Sequence, residues 1–85
     1  MKFKIVGIKE SNGVFNDKPY TNFNLFYQVL NPEKVIGVQV EKIKVSKVVF
    51  DRWLIEAKSN DPKVFIGKEF DEIFYNAYKQ VMELK

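Results

Sequence analysis

Eighty-five residues, 46% of them apolar and 15% aromatic, make one domain with a thin core and exclude a disordered chain. With no cysteine and no histidine, the chain is excluded from disulfide scaffolds and structural zinc sites, and nothing in it demands an oxidising compartment. The net charge of +3 is unevenly spread: residues 1–50 hold eight lysines against four acids, whereas residues 51–85 hold six basic against seven acidic groups.

In chain order, Lys2 to Ile8 alternates as a first strand, with Phe3 and Ile5 on one face and Lys2 and Lys4 on the other. The apolar face switches at Val6-Gly7-Ile8, where a bulge or sharp bend is expected. Two turn signals follow, Asn12-Gly13 and Asn16-Asp17-Lys18-Pro19, with Val14 and Phe15 between them too few for a strand of their own. The pattern predicts a long hairpin with a mobile tip and a return strand from about Tyr20 to Leu30. On that strand Phe23, Leu25, Tyr27 and Val29 share the core face, which leaves Phe26, between Asn24 and Gln28, as the aromatic of the wetter face.

Asn31-Pro32-Glu33-Lys34 reads as a turn. Val35 to Val45 reads as a third strand in which Ile36, Val38 and Val40 alternate, the phase slips at Glu41-Lys42 as at a bulge, and Ile43 and Val45 continue. Beyond the slip Lys42 and Lys44 point away from the core, and Lys47 follows closely. This is a short basic stripe, which serves equally well as solvated edge protection.

Ser46 can cap a helix over roughly 47–58, in which Phe50, Trp53, Leu54 and Ala57 fall on one face; Trp53 is expected to plug the core. Val64-Phe65-Ile66-Gly67 resembles a short strand. For the last third two readings stand. Ile73-Ala77-Val81 and Phe74-Tyr78-Met82 repeat at i+4 as in a helix, while Phe70 to Tyr75 and Gln80 to Leu84 would make strands around a turn at Asn76 to Lys79.

No apolar run is long enough for a membrane span, and the start MKFKIVGIKE has no signal-peptide core, so a cytoplasmic protein without membrane contact is expected. Catalytic signatures are missing. There is no histidine or cysteine, Ser11, Ser46 and Ser59 fall in turn or cap contexts, Asp71-Glu72 are consecutive, and the four glycines are scattered. The expectation is a protein that is not an enzyme and uses no cofactor, metal or small-molecule substrate. What remains is lysines interleaved with aromatics on strands, the parts that sequence-tolerant single-strand binding needs.

The element order, with a helix between strands three and four, is that of a mainly β, OB-like five-stranded barrel over residues 1–85. Val6-Gly7-Ile8 with Gly13 to Asn22, through Lys18-Pro19-Tyr20, resembles the opening of small single-stranded-DNA-binding proteins of phages and Gram-positive mobile elements. The filamentous-phage helix-destabilising proteins carry a similar Gly-Lys-Pro-Tyr loop. Gly67-Lys68 and Tyr75-Asn76-Ala77-Tyr78-Lys79-Gln80-Val81 are similar to the closing segment of that group. Asp17 and Lys79 stand where the group usually carries glycine, and the resemblance favours the hairpin over the helix for the last third.

The resemblance implies non-sequence-specific single-stranded DNA binding in phage or mobile-element replication, and a homodimer. It places Lys18 on phosphate and Tyr20 on a base; the alternative for Tyr20 is to close the hairpin's end over the core. Strand geometry adds Phe26 as a second stacking residue, and the basic stripe adds Lys42, Lys44 and Lys47 as phosphate contacts. The competing function is a small adaptor or inhibitor that engages a host or replication protein through exposed aromatics.

Overall fold

The computed structural model describes residues 2–85. Six strands are formed: β1 (Phe3–Phe15), β2 (Lys18–Val29), β3 (Gln39–Ser46), β4 (Glu69–Phe70), β5 (Ile73–Tyr75) and β6 (Val81–Leu84). One helix, α1 (Lys47–Glu56), and a 3-10 turn, Pro62–Phe65, lie between β3 and β4. The fold is mainly β. Four strands form an antiparallel sheet in the order β3-β2-β1-β4, and β5 and β6 pair antiparallel in a sheet of their own. β6 runs close to β3, yet no ladder joins them among the described residues, so a closed five-stranded barrel is not formed.

The strand expected over Phe70 to Tyr75 is broken in two at Asp71-Glu72. The amides of both residues donate to the Lys85 carbonyl, at 2.5 and 2.7 Å, instead of extending either ladder. The final segment is therefore a hairpin and not a helix. Its i+4 repeat lost to the turn chemistry of Asn76, whose Oδ1 accepts from the amides of Tyr78 (2.9 Å) and Gln80 (3.0 Å) and whose Nδ2 donates to Gln80 Oε1 (2.9 Å). Lys79 in this turn has φ 61°, a left-handed conformation that strains any side chain with a Cβ. Lys79→Gly is accordingly expected to stabilise the domain by up to about 1 kcal/mol. For a chain of this size that is a rise of roughly 4–8 °C in the thermal midpoint, measurable by circular dichroism.

Gly7 marks a bulge: the β1–β2 register slips between Ile5 and Gly7, leaving Val6 as the extra residue. The Asn12-Gly13 signal does not turn the chain. β1 runs straight through it, with Asn12 opposite Thr21 and Gly13 opposite Tyr20, and carries Val14 and Phe15 as strand residues. The turn falls at Asn16-Asp17, where φ values of 50° and 61° give the two left-handed positions that a two-residue hairpin needs. Asparagine and aspartate tolerate that conformation best among non-glycine residues. Since β3 reaches only as far as Asn22 on β2, residues 12–21 form a two-stranded arm outside the core, and the molecule extends 44 Å along its longest axis.

Two further expectations are corrected. Val64 to Gly67 is not a strand: Asp61 caps a 3-10 turn by accepting from the Lys63 amide at 2.9 Å. β3 begins at Gln39 rather than Val35, and its pairing with β2 is continuous through Glu41-Lys42 with no bulge. The slip in phase is real in sequence, but Ile36, Val38 and Val40 never enter the core.

The core is built as the patterns on β2 and α1 predict. Leu25 is buried in one cluster with Ile5, Ile43, Val45 and Phe70, with Phe23 and Tyr27 packed against it, and Val29 is buried on the same face of β2. Ser46 caps α1, its hydroxyl accepting from the Val49 amide at 3.4 Å. Phe50 is fully buried and stacks on Phe23, with ring centroids 4.1 Å apart, while Trp53 plugs the core and donates its Nε1–H to the Met82 carbonyl at 3.1 Å. That bond ties the helix to β6.

Candidate nucleic-acid interface

Side chains alternate along a strand, so residues two apart on β2 share a face. Because Leu25 and Val29 are in the core, the even-numbered residues Lys18, Tyr20, Asn22, Asn24, Phe26 and Gln28 point the other way. Register extends this outer face sideways. Gly7 and Lys42 lie opposite Phe26, Lys9 and Lys44 opposite Asn24, Lys4 and Val40 opposite Gln28, Ser11 and Ser46 opposite Asn22, and Phe15 opposite Lys18. Neighbouring strands are about 4.8 Å apart, so the flanking lysines sit within one strand spacing of Asn24 and Phe26.

Five of the six residues singled out from sequence are thereby brought to one face: Lys18, Tyr20, Phe26, Lys42 and Lys44. Lys47 is not among them. It is the first residue of α1 and is bonded through Nζ to the Asp51 carboxylate four residues on, which offsets its charge. The face gains residues that the sequence reading passed over. Lys4 and Lys9 stand on β1 across from Gln28 and Asn24, and Phe15, 71% exposed, stands beside Lys18 at the arm's end. No signal in the local pattern could pair Lys9 with Lys44; their proximity is created by register alone.

Among the described residues, none of Lys4, Lys9, Lys18, Lys42 and Lys44 takes part in an ion pair, and all are exposed. One carboxylate enters the rows from Lys4 to Ser11 on this face, Glu69 of β4 opposite Lys4, whereas Glu10 and Glu41 lie opposite Phe23 and Tyr27, on the inner side of their strands. The result is a strip of positive charge along two edges of β2, in which Lys9, Lys42 and Lys44 face no carboxylate across the strands and Lys4 has Glu69 opposite it.

The aromatics of the face are set in different ways. Phe26 is half-buried, its ring resting beside Gly7, where an added Cβ would stand 3.5 Å from Cδ2. The bulge thus opens a place for the ring and leaves one side of it accessible. Tyr20 is 44% exposed and does not belong to the core; its ring lies over Gly13, occupying the space where a Cβ on Gly13 would sit. Glycine is required at position 13 for this close approach, which gives a two-stranded arm a flat aromatic surface and some of the packing it otherwise lacks. The arm is also held by Thr21 Oγ1, which donates to Asn12 Oδ1 at 2.7 Å on its other side. Six strand positions, about 20 Å, separate Tyr20 from Phe26 along β2.

On the inner side, Tyr27 packs edge-on against Phe3 at 5.1 Å; burial first, then the Glu41 carboxylate and Tyr75, push its phenol above the ordinary tyrosine range. A cavity of about 280 Å³ beneath α1 is walled by Ile5, Trp53, Phe65, Phe70 and Leu84, and Glu56, Glu69, Glu83 and Lys68 also line it. Among the described residues no group of three potential ligands could hold a metal ion, and no helix is long and apolar enough to cross a membrane.

Comparisons with family models, with curated proteins and with solved structures return no match to this chain. The geometry of the outer face therefore carries the functional argument.

Proposed function

We propose that the protein binds single-stranded DNA without sequence specificity, on the outer face of β1, β2 and β3, as an accessory of phage or mobile-element DNA replication. The observation that carries this reading is the convergence of Lys4, Lys9, Lys42 and Lys44 around Asn24 and Phe26, with Lys18, Tyr20 and Phe15 continuing the same face along the arm. Uncompensated lysines track phosphates, and flat rings spaced along a strand accept any base, each stack being worth about 1–3 kcal/mol. Amides at Asn22, Asn24 and Gln28 between them offer hydrogen bonds without selecting one base.

The architecture supports an open OB-like barrel as its frame. β1 pairs with β2 on one side and β4 on the other, the helix falls between β3 and β4, and β6 returns to the side of β3. If β4 and β5 are counted as one strand interrupted at Asp71-Glu72, five strands remain. Binding on the outer β2–β3 surface is a use to which such barrels are put.

Fluorescence anisotropy of a labelled oligo-dT is expected to show binding at low salt that falls linearly on a double-logarithmic plot, with a slope of about −0.7 for each phosphate neutralised. Absence of binding at any salt would overturn the proposal. Tyr20→Ala is expected to weaken that binding about 5- to 160-fold, the equivalent of one stack, while the melting temperature changes little. A large fall in melting temperature would instead make Tyr20 a structural clamp of the arm.

A further inference from the structure

The outer face carries its charge at one end. Lys4, Lys9, Lys42 and Lys44 stand in the consecutive rows of Gln28, Phe26 and Asn24, with Glu69 the one carboxylate there among the described residues. Beyond Asn24 two rows follow without a lysine: Ser11 and Ser46 flank Asn22, and Gly13 stands opposite Tyr20. Charge returns only at Lys18. Asp17 precedes it in the hairpin turn, so residues 12–21 hold one basic and one acidic group and no net charge. The aromatics are distributed the other way. The charged rows hold one half-buried ring, Phe26, whereas the arm holds Tyr20, 44% exposed, and Phe15, 71% exposed. Phe15 is the diagonal cross-strand neighbour of Tyr20, about 7–8 Å away and on the same face.

Resting on the nucleic-acid reading of this face, we propose that it consists of two subsites of different physics, and that its ligand is a single strand long enough to occupy both. The platform around Phe26 holds the strand chiefly by its phosphates. The neutral arm holds it by stacking bases on Tyr20 and Phe15, with little electrostatic contribution. Attraction decides where a short oligonucleotide settles. On the platform four ammonium groups stand against one carboxylate, and on the arm one stands against one. A short fragment therefore occupies the platform and leaves the arm free.

Length then becomes a criterion for binding. Tyr20 and Phe26 are six strand positions apart, about 20 Å. A strand stacked as in a duplex advances about 3.4 Å per nucleotide, so roughly six nucleotides bridge the two rings, and a stretched strand bridges them with fewer. A trinucleotide has two such steps and covers about 7 Å, or about 14 Å with each step doubled, and falls short. A longer strand gains the arm in addition, about 5- to 160-fold in affinity for each ring that accepts a base. Stacking on a neutral arm releases no counterions, so this gain persists as salt rises. The face is thereby fitted to long exposed strands and discriminates against short fragments that carry the same charge per nucleotide.

Titration of the full chain with a thymidine trinucleotide and with a thymidine dodecanucleotide, followed by NMR amide shifts, tests the division. The trinucleotide is expected to shift the amides of Phe26, Lys42 and Lys44 and to leave those of Phe15 and Tyr20 in place, whereas the dodecanucleotide shifts both sets. Tyr20→Ala should weaken the dodecanucleotide about 5- to 160-fold and leave the trinucleotide within about twofold of wild type. Its salt slope for the dodecanucleotide should stay within about 0.7, one phosphate, of the wild-type value. Phe15→Ala, at an exposed position where little folding energy is at stake, should repeat the length-selective loss even where Tyr20→Ala loosens the arm. If neither oligonucleotide binds at any salt, the nucleic-acid reading fails and this inference with it. If the dodecanucleotide binds, that reading stands, and the two-part site is overturned by any of three results: a trinucleotide that shifts nothing, one that shifts the arm as much as the platform, or arm variants that weaken both lengths equally.

Discussion

Replacing Lys9, Lys42 and Lys44 together by glutamate is expected to abolish oligo-dT binding under conditions where the wild type binds, with the fold intact. The three side chains stand in adjacent rows around Asn24 and Phe26, all exposed and without an ion-pair partner among the described residues. Each lysine that neutralises a phosphate contributes about 0.7 to the salt slope, so the milder triple alanine variant should flatten that slope by about 2 units. Reversal adds repulsion to that loss. Stability should hold, since all three lysines are exposed and stand opposite the uncharged Asn24 and Phe26 across the strands. Lys47→Ala is the internal control: its ammonium is already engaged by Asp51, so it should change the slope far less. Equal effects from Lys47 and from the strand lysines would move the interface away from the outer face.

Phe50→Ala is expected to cost about 3–5 kcal/mol, the range for truncating a buried aromatic. An 85-residue domain has roughly 4–13 kcal/mol in total, so the variant should be largely unfolded on warming. The reason is position. Phe50 has no exposed surface, stacks on Phe23 at 4.1 Å, meets the edge of Phe65 at 5.4 Å and lies 6.3 Å from Trp53. It is the point at which β2, α1 and the 3-10 turn share one contact, and the cavity it would leave cannot be closed by any single neighbour. Urea denaturation followed by Trp53 fluorescence measures the loss directly, with Val48→Ala on the exposed side of the same helix expected to stay within about 0.5 kcal/mol. A loss below about 1 kcal/mol for Phe50→Ala would refute this account of the core.

The two predictions separate cleanly because core and outer face are opposite sides of the same strand. Leu25 and Phe26 are consecutive, and one is sealed while the other borders Lys42. A substitution that affected both folding and binding equally would therefore indicate movement of β2 itself.

Much of this was legible in the sequence wherever the decisive interactions are local. The two-residue period of β2 assigned Leu25 and Val29 to the core and Phe26 to the other face. The i, i+3, i+4 stripe of α1 placed Phe50 and Trp53 inside, Ser46 announced the cap, and Gly7 announced the bulge. Each follows from the geometry of a few consecutive residues. Where two local signals competed, the sequence could not choose. Asn12-Gly13 and Asn16-Asp17 both favour turns, and only one could match the register already imposed by the Ile5–Tyr27 and Ile8–Leu25 pairs. The i+4 repeat of the last third was likewise overridden once Asn76 bound its own turn and the helix-bound Met82 carbonyl drew β6 onto the core.

The basic aromatic face belongs to the tertiary structure. Lysines 9 and 44 are far apart in the chain, and no periodicity relates them; pairing through Asn24 does. The same is true of Ile36, Val38 and Val40, whose alternation describes a strand of which only Val40 is part, opposite Gln28, and none of which is buried. By itself the sequence determined which way each residue of a strand points, because that depends on neighbours along the backbone. Which residues stand side by side was decided only when the strands found their register, because that energy resides in contacts between distant segments.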